Sequence, residues 1–276
     1  MHDTIGIIGF GNMGSAMAEQ LKPHSRVCVF DKDKSKTRTA KDVTVTDTMA
    51  GVAEKSDLLI LAVKPQDIDG VLKSLREHLK GKLLLSIAAG ISTGHIERIA
   101  GQARVVRAMP NIGVKISESV TCLSKGAFAS EEDLEAAQEL FYYLGATRII
   151  DENMMNAATA ISGSGPAYVF YFLEDSDMDA VNVPEHARHD MIKRLAQAAE
   201  GTGFKHEDAM FLAVNTVNMS LSLIRKTRMS PAELRLQVTS KGGTTEAALA
   251  ALRRSGSWGD AAGAALKRAE ELARRD

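Results

Sequence analysis

The sequence predicts two domains, a doubly wound α/β domain over residues 1–151 and an all-helical domain over residues 152–276. Three observations carry this. Up to about residue 150, short continuous apolar runs alternate with helix-like stretches, the pattern of a mostly parallel sheet covered on both faces. Beyond Glu152 such runs stop, and Ala, Leu, Met, Glu and Arg recur at helical spacing. The chain of 276 residues also exceeds one ordinary domain of about 100–150 residues.

The first apolar run, Ile5-Gly6-Ile7-Ile8, passes through Gly9-Phe10-Gly11-Asn12-Met13-Gly14 into the helix-like stretch Ser15–Leu21. This is G-x-G-x-x-G between a strand and a helix. Gly9 permits the tight turn, Gly11 lets a pyrophosphate approach the backbone, and Gly14 lets the helix lie close on the strand. The helix start offers unpaired N–H groups and the positive end of its dipole to phosphates. The second run, Arg26–Phe30, ends at Asp31, about 20 residues past Gly9, where an acidic side chain takes ribose hydroxyls. Glycine-rich turns also join strands to helices where nothing binds. Here the flanking strand and the acid agree, and a bound dinucleotide is the expectation.

Further strand-like runs follow at Asp57–Val63, Leu83–Ile87, Arg104–Ala108, Val120–Leu123 and Thr147–Ile150. Ala62-Val63-Lys64-Pro65 closes one of them, with Pro65 at a first helical position where its missing N–H costs nothing. Open α/β sheets bind ligands at such carboxyl ends of strands. Ala108-Met109-Pro110-Asn111 closes another and brings the Asn111 amide or backbone towards a nicotinamide; an Asn turn after Pro is the plain alternative.

In the second half, Phe211, Leu212, Val214, Val217, Leu221 and Ile224 mark one helix, and Ala157, Ala160, Ala167, Val169, Phe170, Phe172 and Leu173 are apolar on more than one side. Helices apolar nearly all round need a partner on each side, which points to a subunit interface. Ser162-Gly163-Ser164-Gly165-Pro166-Ala167-Tyr168 puts small residues directly before an apolar helix, either for close approach of a ligand or as a helix break needed for packing. Thr239-Ser240-Lys241-Gly242-Gly243-Thr244-Thr245 precedes the helical Glu246–Leu252, so hydroxyls, glycine amides and a helix start converge. A plain N-cap by Thr244 or Thr245 would explain this. The glycine pair favours an anion site sized for a small carboxylate.

Composition narrows the function classes. Hydrophobic content of 45% and charged content of 25% match an ordinary globular protein, and a net charge of −1 gives no basic footprint for nucleic acid. Arg253, Arg254, Lys267, Arg268, Arg274 and Arg275 gather near the C-terminus among acidic neighbours, as on a solvated helix face. No apolar run approaches the ~20 residues that span a membrane. The chain enters its first strand directly after Met1-His2-Asp3, which leads to the expectation of a cytoplasmic protein. Cys28 and Cys122 sit singly in apolar runs, as buried thiols do in a reducing compartment. No Ser-His-Asp set, Cys nucleophile or metal cluster stands out; His186 and His189, three residues apart, read as solvent-facing.

With these segments in this order, nearly the whole chain resembles the pyrroline-5-carboxylate reductases. Ser162–Tyr168 and Thr239–Thr245 followed by Glu-Ala-Ala-Leu are the most specific parts of the likeness. The resemblance implies a Rossmann-like N-terminal domain, an all-α C-terminal dimerisation domain, a homodimer that in many members joins a ring, and NAD(P)H-dependent reduction of a cyclic imine to L-proline. It implies that Gly9, Phe10, Gly11, Asn12 and Met13 hold the cofactor phosphates, with Asp31 at the ribose. Ala62, Val63, Lys64 and Pro65 would border the adenosine and nicotinamide halves, and Met109, Asn111 and the loop Ala88-Ala89-Gly90 would lie near the nicotinamide. Ser240, Thr244 and Thr245, with the Gly242 and Gly243 backbone, match the loop for the substrate carboxylate. Thr245 is assigned the catalytic place, its hydroxyl near the imine nitrogen as orienting donor or proton relay.

Some features depart from that pattern. Ile112-Gly113 stands where the family usually has Thr-Pro, which would loosen the chain beside the nicotinamide, and the connection Lys22–Ser25 is short. Asp175 to about Gln197 reads as roughly 20 extra residues, an added helical hairpin, because Val183-Pro184-Glu185-His186-Ala187 loosely echoes Phe204–Ala209; the acids Glu174, Asp175, Asp177 and Asp179 read as solvated or capping. Asp31 repels a 2′-phosphate and favours NADH, against Lys32, Lys34 and Lys36, which would attract one. A β-hydroxyacid dehydrogenase would carry a lysine on the helix after the glycine-rich turn, and Pro166–Phe172 has none. A non-catalytic dinucleotide-binding protein is the other rival, weighed against by the intact motifs.

Overall fold

A computed structural model describes residues 3–176 and 178–273. Met1, His2, Asp177 and residues 274–276, with Asp177 of the acidic run and Arg274 and Arg275 of the basic group, lie outside the described residues. The chain divides into two compact units, one of residues 1–109 and 122–152 and one of residues 110–121 and 153–275. The stretch 110–121 goes with the helical unit rather than the α/β unit.

In the first unit the expected apolar runs become β1 (Thr4–Ile8), β2 (Arg26–Phe30), β3 (Thr44–Val45), β4 (Leu58–Leu61), β5 (Leu83–Ser86), β6 (Arg104–Met109), β7 (Ser119–Lys125) and β8 (Gly145–Ile149). Their order is β3-β2-β1-β4-β5-β6-β7-β8. The pairs from β3 through β6 are parallel, and β7 runs antiparallel to β6. Helices α1 (Asn12–Leu21), α2 (Lys34–Thr37), α3 (Met49–Lys55), α4 (Ile68–Leu75), α5 (Thr93–Ala100) and α6 (Glu131–Tyr142) connect them. Strands β1, β4 and β5 are buried along their whole length, which is why they read as unbroken apolar runs rather than alternating ones. Leu59, Leu61, Ile68, Leu72, Leu84 and Ile96 form the centre of one core cluster, and each contributes about 1.5–3 kcal/mol by leaving water. Cys28 and Cys122 are buried free thiols.

Strand order reverses between β1 and β4: the chain builds outward to β3 on one side and returns to build β4 to β6 on the other. The crevice beyond the carboxyl ends of strands at such a reversal is where open sheets bind ligands. The loops after β1 and β4 flank it.

The second unit contains α7 (Met155–Ala158), a π-helical turn (Thr159–Gly163), α8 (Gly165–Glu174), α9 (Glu185–Gly201), α10 (His206–Thr227), α11 (Pro231–Val238), α12 (Thr244–Ser255) and α13 (Trp258–Ala273). Residues 110–121 join it through side chains. Asn111 Nδ2 donates to the Ser162 carbonyl at 3.0 Å, and Glu118 takes the Ser222 hydroxyl at 2.8 Å and Lys226 Nζ at 2.6 Å.

The segment near 175–197 is not a self-contained hairpin. Residues 178–184 form a loop in which Asp179 accepts from Val181 N at 2.9 Å and from Asn182 Nδ2 at 2.7 Å, and residues 185–197 are most of α9. Helix α9 packs against both α10 and α13, and the echo between the two stretches marks two consecutive helix starts of one unit. His186 and His189 are exposed on α9. Among the described residues, no helix is long and apolar enough to cross a membrane.

Candidate active site

The glycine loop after β1 is built as its sequence demands. Gly9 has φ +100°, and a methyl group there would lie 2.5 Å from the Ala62 carbonyl oxygen, so the residue must be glycine for conformation and for space. A side chain at Gly14 would overlap the Gly9 carbonyl, which is how α1 comes to lie against the end of β1. Gly11 differs: a methyl group there would meet no protein atom within 4 Å. The open space lies over the start of α1, whose N-cap is Gly11 itself with no side-chain cap. Ser15 N is the first amide to reach back, to Gly11 O at 2.9 Å, so the Asn12, Met13 and Gly14 amides have no intrahelical acceptor. Unpaired amides facing space that a side chain would fill fit a pyrophosphate.

Asp31, 8% exposed, braces this loop. Its Oδ2 accepts from Phe10 N at 2.7 Å, its Oδ1 accepts from Asp33 N at 2.8 Å, and Lys36 Nζ lies 3.4 Å from both oxygens. The acid at the end of β2 therefore holds the glycine loop in shape. Lys32 and Lys34 do not stand free beside it, because they pair with Asp67 at 2.9 Å and Asp47 at 3.1 Å. The bond to Asp67 raises the Lys32 ammonium above its ordinary range.

Across the reversal, Ala62 N donates to Ile8 O at 2.8 Å. Lys64 is the N-cap of a 3₁₀ turn with Pro65 in its first positions, as expected from the sequence, and both are exposed. Gly9 to Met13, Asp31 and Ala62 to Pro65 thus collect at the carboxyl ends of β1, β2 and β4. Ala88 does not present its side chain to this edge: it is 3% exposed and belongs to the core cluster, and the exposed residue of its loop is Ala89.

The Asn111 side chain is built into the turn that follows β6. Its Oδ1 accepts from Gly113 N at 3.0 Å and Val120 N at 3.2 Å, Nδ2 donates to Ser162 O at 3.0 Å, its amide donates to Ser119 Oγ at 3.2 Å, and its carbonyl accepts from Val114 N at 3.2 Å. Its Oδ1, one of its two Nδ2 protons, its backbone amide and its carbonyl are thus bonded within the helical unit, so the side chain braces this turn. Met109 ends β6 opposite Cys122. Gly113, expected to loosen the chain, is instead clamped: a methyl group would lie 2.6 Å from the Glu118 carbonyl oxygen and from Met219 Cγ.

In the helical unit, α12 starts behind the Gly-Gly turn. Gly243 is its N-cap without a side-chain cap, so neither Thr244 nor Thr245 caps the helix. Their hydroxyls go to Ser164: Thr245 Oγ1 donates to Ser164 Oγ at 3.1 Å, and Thr244 Oγ1 lies 3.0 Å from the same oxygen. Gly242, at φ +69°, gives its amide to Glu246 Oε2 at 2.7 Å and its carbonyl to Arg268 Nε at 2.9 Å, and Gly243 N donates to Ser240 O at 3.0 Å. The two glycine amides are thus used inside the loop, contrary to expectation. The amides left for an anion are those of the first turn, Thr244 to Glu246. Ser240 is exposed beside them.

Ser164 had no role assigned from sequence. The signal was a hydroxyl between two glycines before Pro166, but only the fold reveals its partners, 80 residues away. It follows the π-helical turn, a form often found at functional sites. Ser164 N reaches Thr159 O at 2.9 Å, and the Tyr168 hydroxyl donates to Ala160 O at 2.8 Å. Complete burial pushes the Tyr168 phenol far up, so it stays protonated and serves the turn rather than proton transfer.

Two family models match the chain: one described as NADP oxidoreductase, coenzyme F420-dependent, over residues 4–90, and one described as pyrroline-5-carboxylate reductase dimerisation, over residues 152–183 and 189–274. The second runs through most of the segment read from sequence as added. The pyrroline-5-carboxylate reductase of Aquifex aeolicus is 34% identical over 247 residues, covering 87% of this chain and 85% of that protein. That of Methanosarcina acetivorans is 33% identical over 265 residues, covering 92% and 91%. Among solved structures, a pyrroline-5-carboxylate reductase from Coxiella burnetii superposes with a TM-score of 0.63 at 30% identity, covering 97% of each chain.

Proposed function

The chain belongs to the pyrroline-5-carboxylate reductase family, and from that premise we propose that it reduces 1-pyrroline-5-carboxylate to L-proline with NAD(P)H. The observation that carries this reading is the hydroxyl cluster of Ser164, Thr244 and Thr245 at an uncapped helix start behind a Gly-Gly turn. It combines hydroxyls with helix-start amides, the groups that hold a small carboxylate.

The chain's own residues do two things in this reading. The Asn12, Met13 and Gly14 amides hold the dinucleotide phosphates, with Asp31 fixing Phe10 and the ribose side, and Val63, Lys64 and Pro65 bordering the far edge. The amides at the start of α12, with Ser240 and Thr244, hold the substrate carboxylate, and Thr245 faces the ring nitrogen. When bound, the reduced nicotinamide supplies the hydride. A cyclic imine is substantially protonated near neutral pH, so the protein's contribution is chiefly position, which is worth several orders of magnitude in rate.

Self-association follows from the match to a dimerisation model, and we propose a homodimer as the working unit. NADH is the preferred cofactor in this reading, because an acidic residue, Asp31, ends β2 where the ribose is expected, and Lys32, Lys34 and Lys36 already have carboxylate partners. The test follows NADH and NADPH absorbance with pyrroline-5-carboxylate and the purified protein. Turnover with release of proline is expected, faster with NADH at equal concentrations. Equal or better turnover with NADPH overturns the cofactor preference, and dinucleotide binding without turnover overturns the enzymatic reading.

A further inference from the structure

We propose that Ser164 is a positioning residue that sets the polarity of the two threonine hydroxyls beside it, making Thr245 an acceptor for a protonated ring nitrogen and Thr244 a donor to the substrate carboxylate. The inference rests on the imine-reducing reading above and specifies the form of the substrate that the site takes.

Ser164 is completely buried, and its backbone is fixed by the π-helical turn through its bond to Thr159 O. A hydroxyl has one proton to give and two lone pairs to receive. Thr245 Oγ1, itself on a residue 5% exposed, gives its proton to Ser164 Oγ at 3.1 Å. Ser164 Oγ also lies 3.0 Å from Thr244 Oγ1, a pair in which either hydroxyl can donate; in the proposed arrangement Ser164 is the donor. So arranged, the run is directional, Thr245 to Ser164 to Thr244, and such runs reinforce themselves because each donor polarises the next. At one end the Thr245 oxygen keeps its lone pairs for a ligand donor. At the other, Thr244, which is half-buried, keeps its own proton for an outside acceptor.

The two ends match two parts of one small molecule. A protonated cyclic imine carries an N–H donor, which suits Thr245, and a carboxylate acceptor, which suits Thr244. The neutral imine would set its nitrogen lone pair against the Thr245 lone pairs. One buried serine thereby biases the site towards the cationic imine, the form that accepts hydride readily. The charged groups bonded to this loop are Glu246 on the Gly242 amide and Arg268 on the Gly242 carbonyl, and the titratable group on α8 near the turn is Tyr168, protonated throughout.

The experiment measures kcat and KM for pyrroline-5-carboxylate from about pH 6 to about pH 9 in the wild type, Ser164→Ala, Thr245→Ala and the double variant. For Ser164→Ala the expected result is a loss of about tenfold in kcat/KM at the acid end, mainly through KM, and a shallower alkaline fall, because a released Thr245 can turn and donate to the neutral imine. The double variant is expected within about twofold of Thr245→Ala alone, since Ser164 acts through Thr245. A loss uniform across pH, or losses that multiply in the double variant, overturns the assignment. Should Ser164→Ala not fold, Ser164→Cys, nearly isosteric with a weak acceptor, makes the same distinction. A wild type that binds dinucleotide but never reduces this imine removes the underlying reading, and the assignment with it.

Discussion

Gly11 is the position in the phosphate loop where adding a side chain touches no protein atom, whereas Gly9 and Gly14 are hemmed in by Ala62 and Gly9 carbonyl groups. This separates folding from binding at the scale of one methyl group. Gly11→Ala is expected to change stability by less than about 1 kcal/mol in a denaturant titration, the scale of a glycine-to-alanine exchange at an N-cap. The same variant is expected to raise the dinucleotide Kd at least about tenfold, because the added methyl group occupies the pyrophosphate space. Unaltered dinucleotide affinity would sink the loop assignment. Gly113 presents the opposite case. Its missing side chain makes room for the Glu118 carbonyl and Met219, so Gly113 tightens the turn that Asn111 holds rather than freeing it.

At the level of elements, helix ends decide what the site can hold. Helices α1 and α12 begin at glycine N-caps with no side-chain partner, so their first amides stay open for anions. Helix α11 is closed: Ser230 and Glu233 form a capping box, with Ser230 N donating to Glu233 Oε2 at 2.8 Å and Glu233 N donating to Ser230 Oγ at 3.3 Å. The bonds from Ser230 hold the Glu233 carboxyl below its ordinary range. A carboxylate depressed in the folded state stabilises above its unfolded pKa, and that stabilisation disappears as pH falls through the folded value. Hydrogen exchange at the start of α11 is therefore expected to quicken in acid below the ordinary glutamate range, and Glu233→Gln to show much less of this change. An α11 start equally protected in acid and at neutral pH would contradict the cap.

On the scale of the whole molecule, the passage out of the α/β unit is secured at its last residue. Glu152 accepts from Thr93 N at 2.7 Å and from Thr93 Oγ1 at 2.6 Å, and faces the Arg107 guanidinium at 3.5 Å. Arg107 lies in β6, 6% exposed, and burial lowers its pKa while Glu152 opposes that shift. Glu152→Ala leaves a cation buried without its carboxylate, at an expected cost of about 3 kcal/mol in chemical denaturation. Adding Arg107→Met is expected to recover much of that loss. A single variant as stable as the wild type would show that Arg107 does not depend on this partner.

What the sequence by itself determined was whatever local pattern records: the alternation of buried strands and helices, the glycine fingerprint and the presence of a helix behind the Gly-Gly turn. These depend on neighbours within a few positions, and period, turn chemistry and glycine spacing report them directly. Only the tertiary structure decided where each polar group finds its partner. The Asn111 side chain became a strut because Ser162, 51 residues on, accepts one of its two amide protons, and Ser164 joins the hydroxyl cluster because Thr244 and Thr245 come to it across 80 and 81 residues. The Ala88 side chain packs into the core, and the supposed added hairpin became a loop and one helix of the unit, for the same reason. Hydrogen bonds and burial between distant residues are set by packing, and a linear pattern carries no record of which faces will meet.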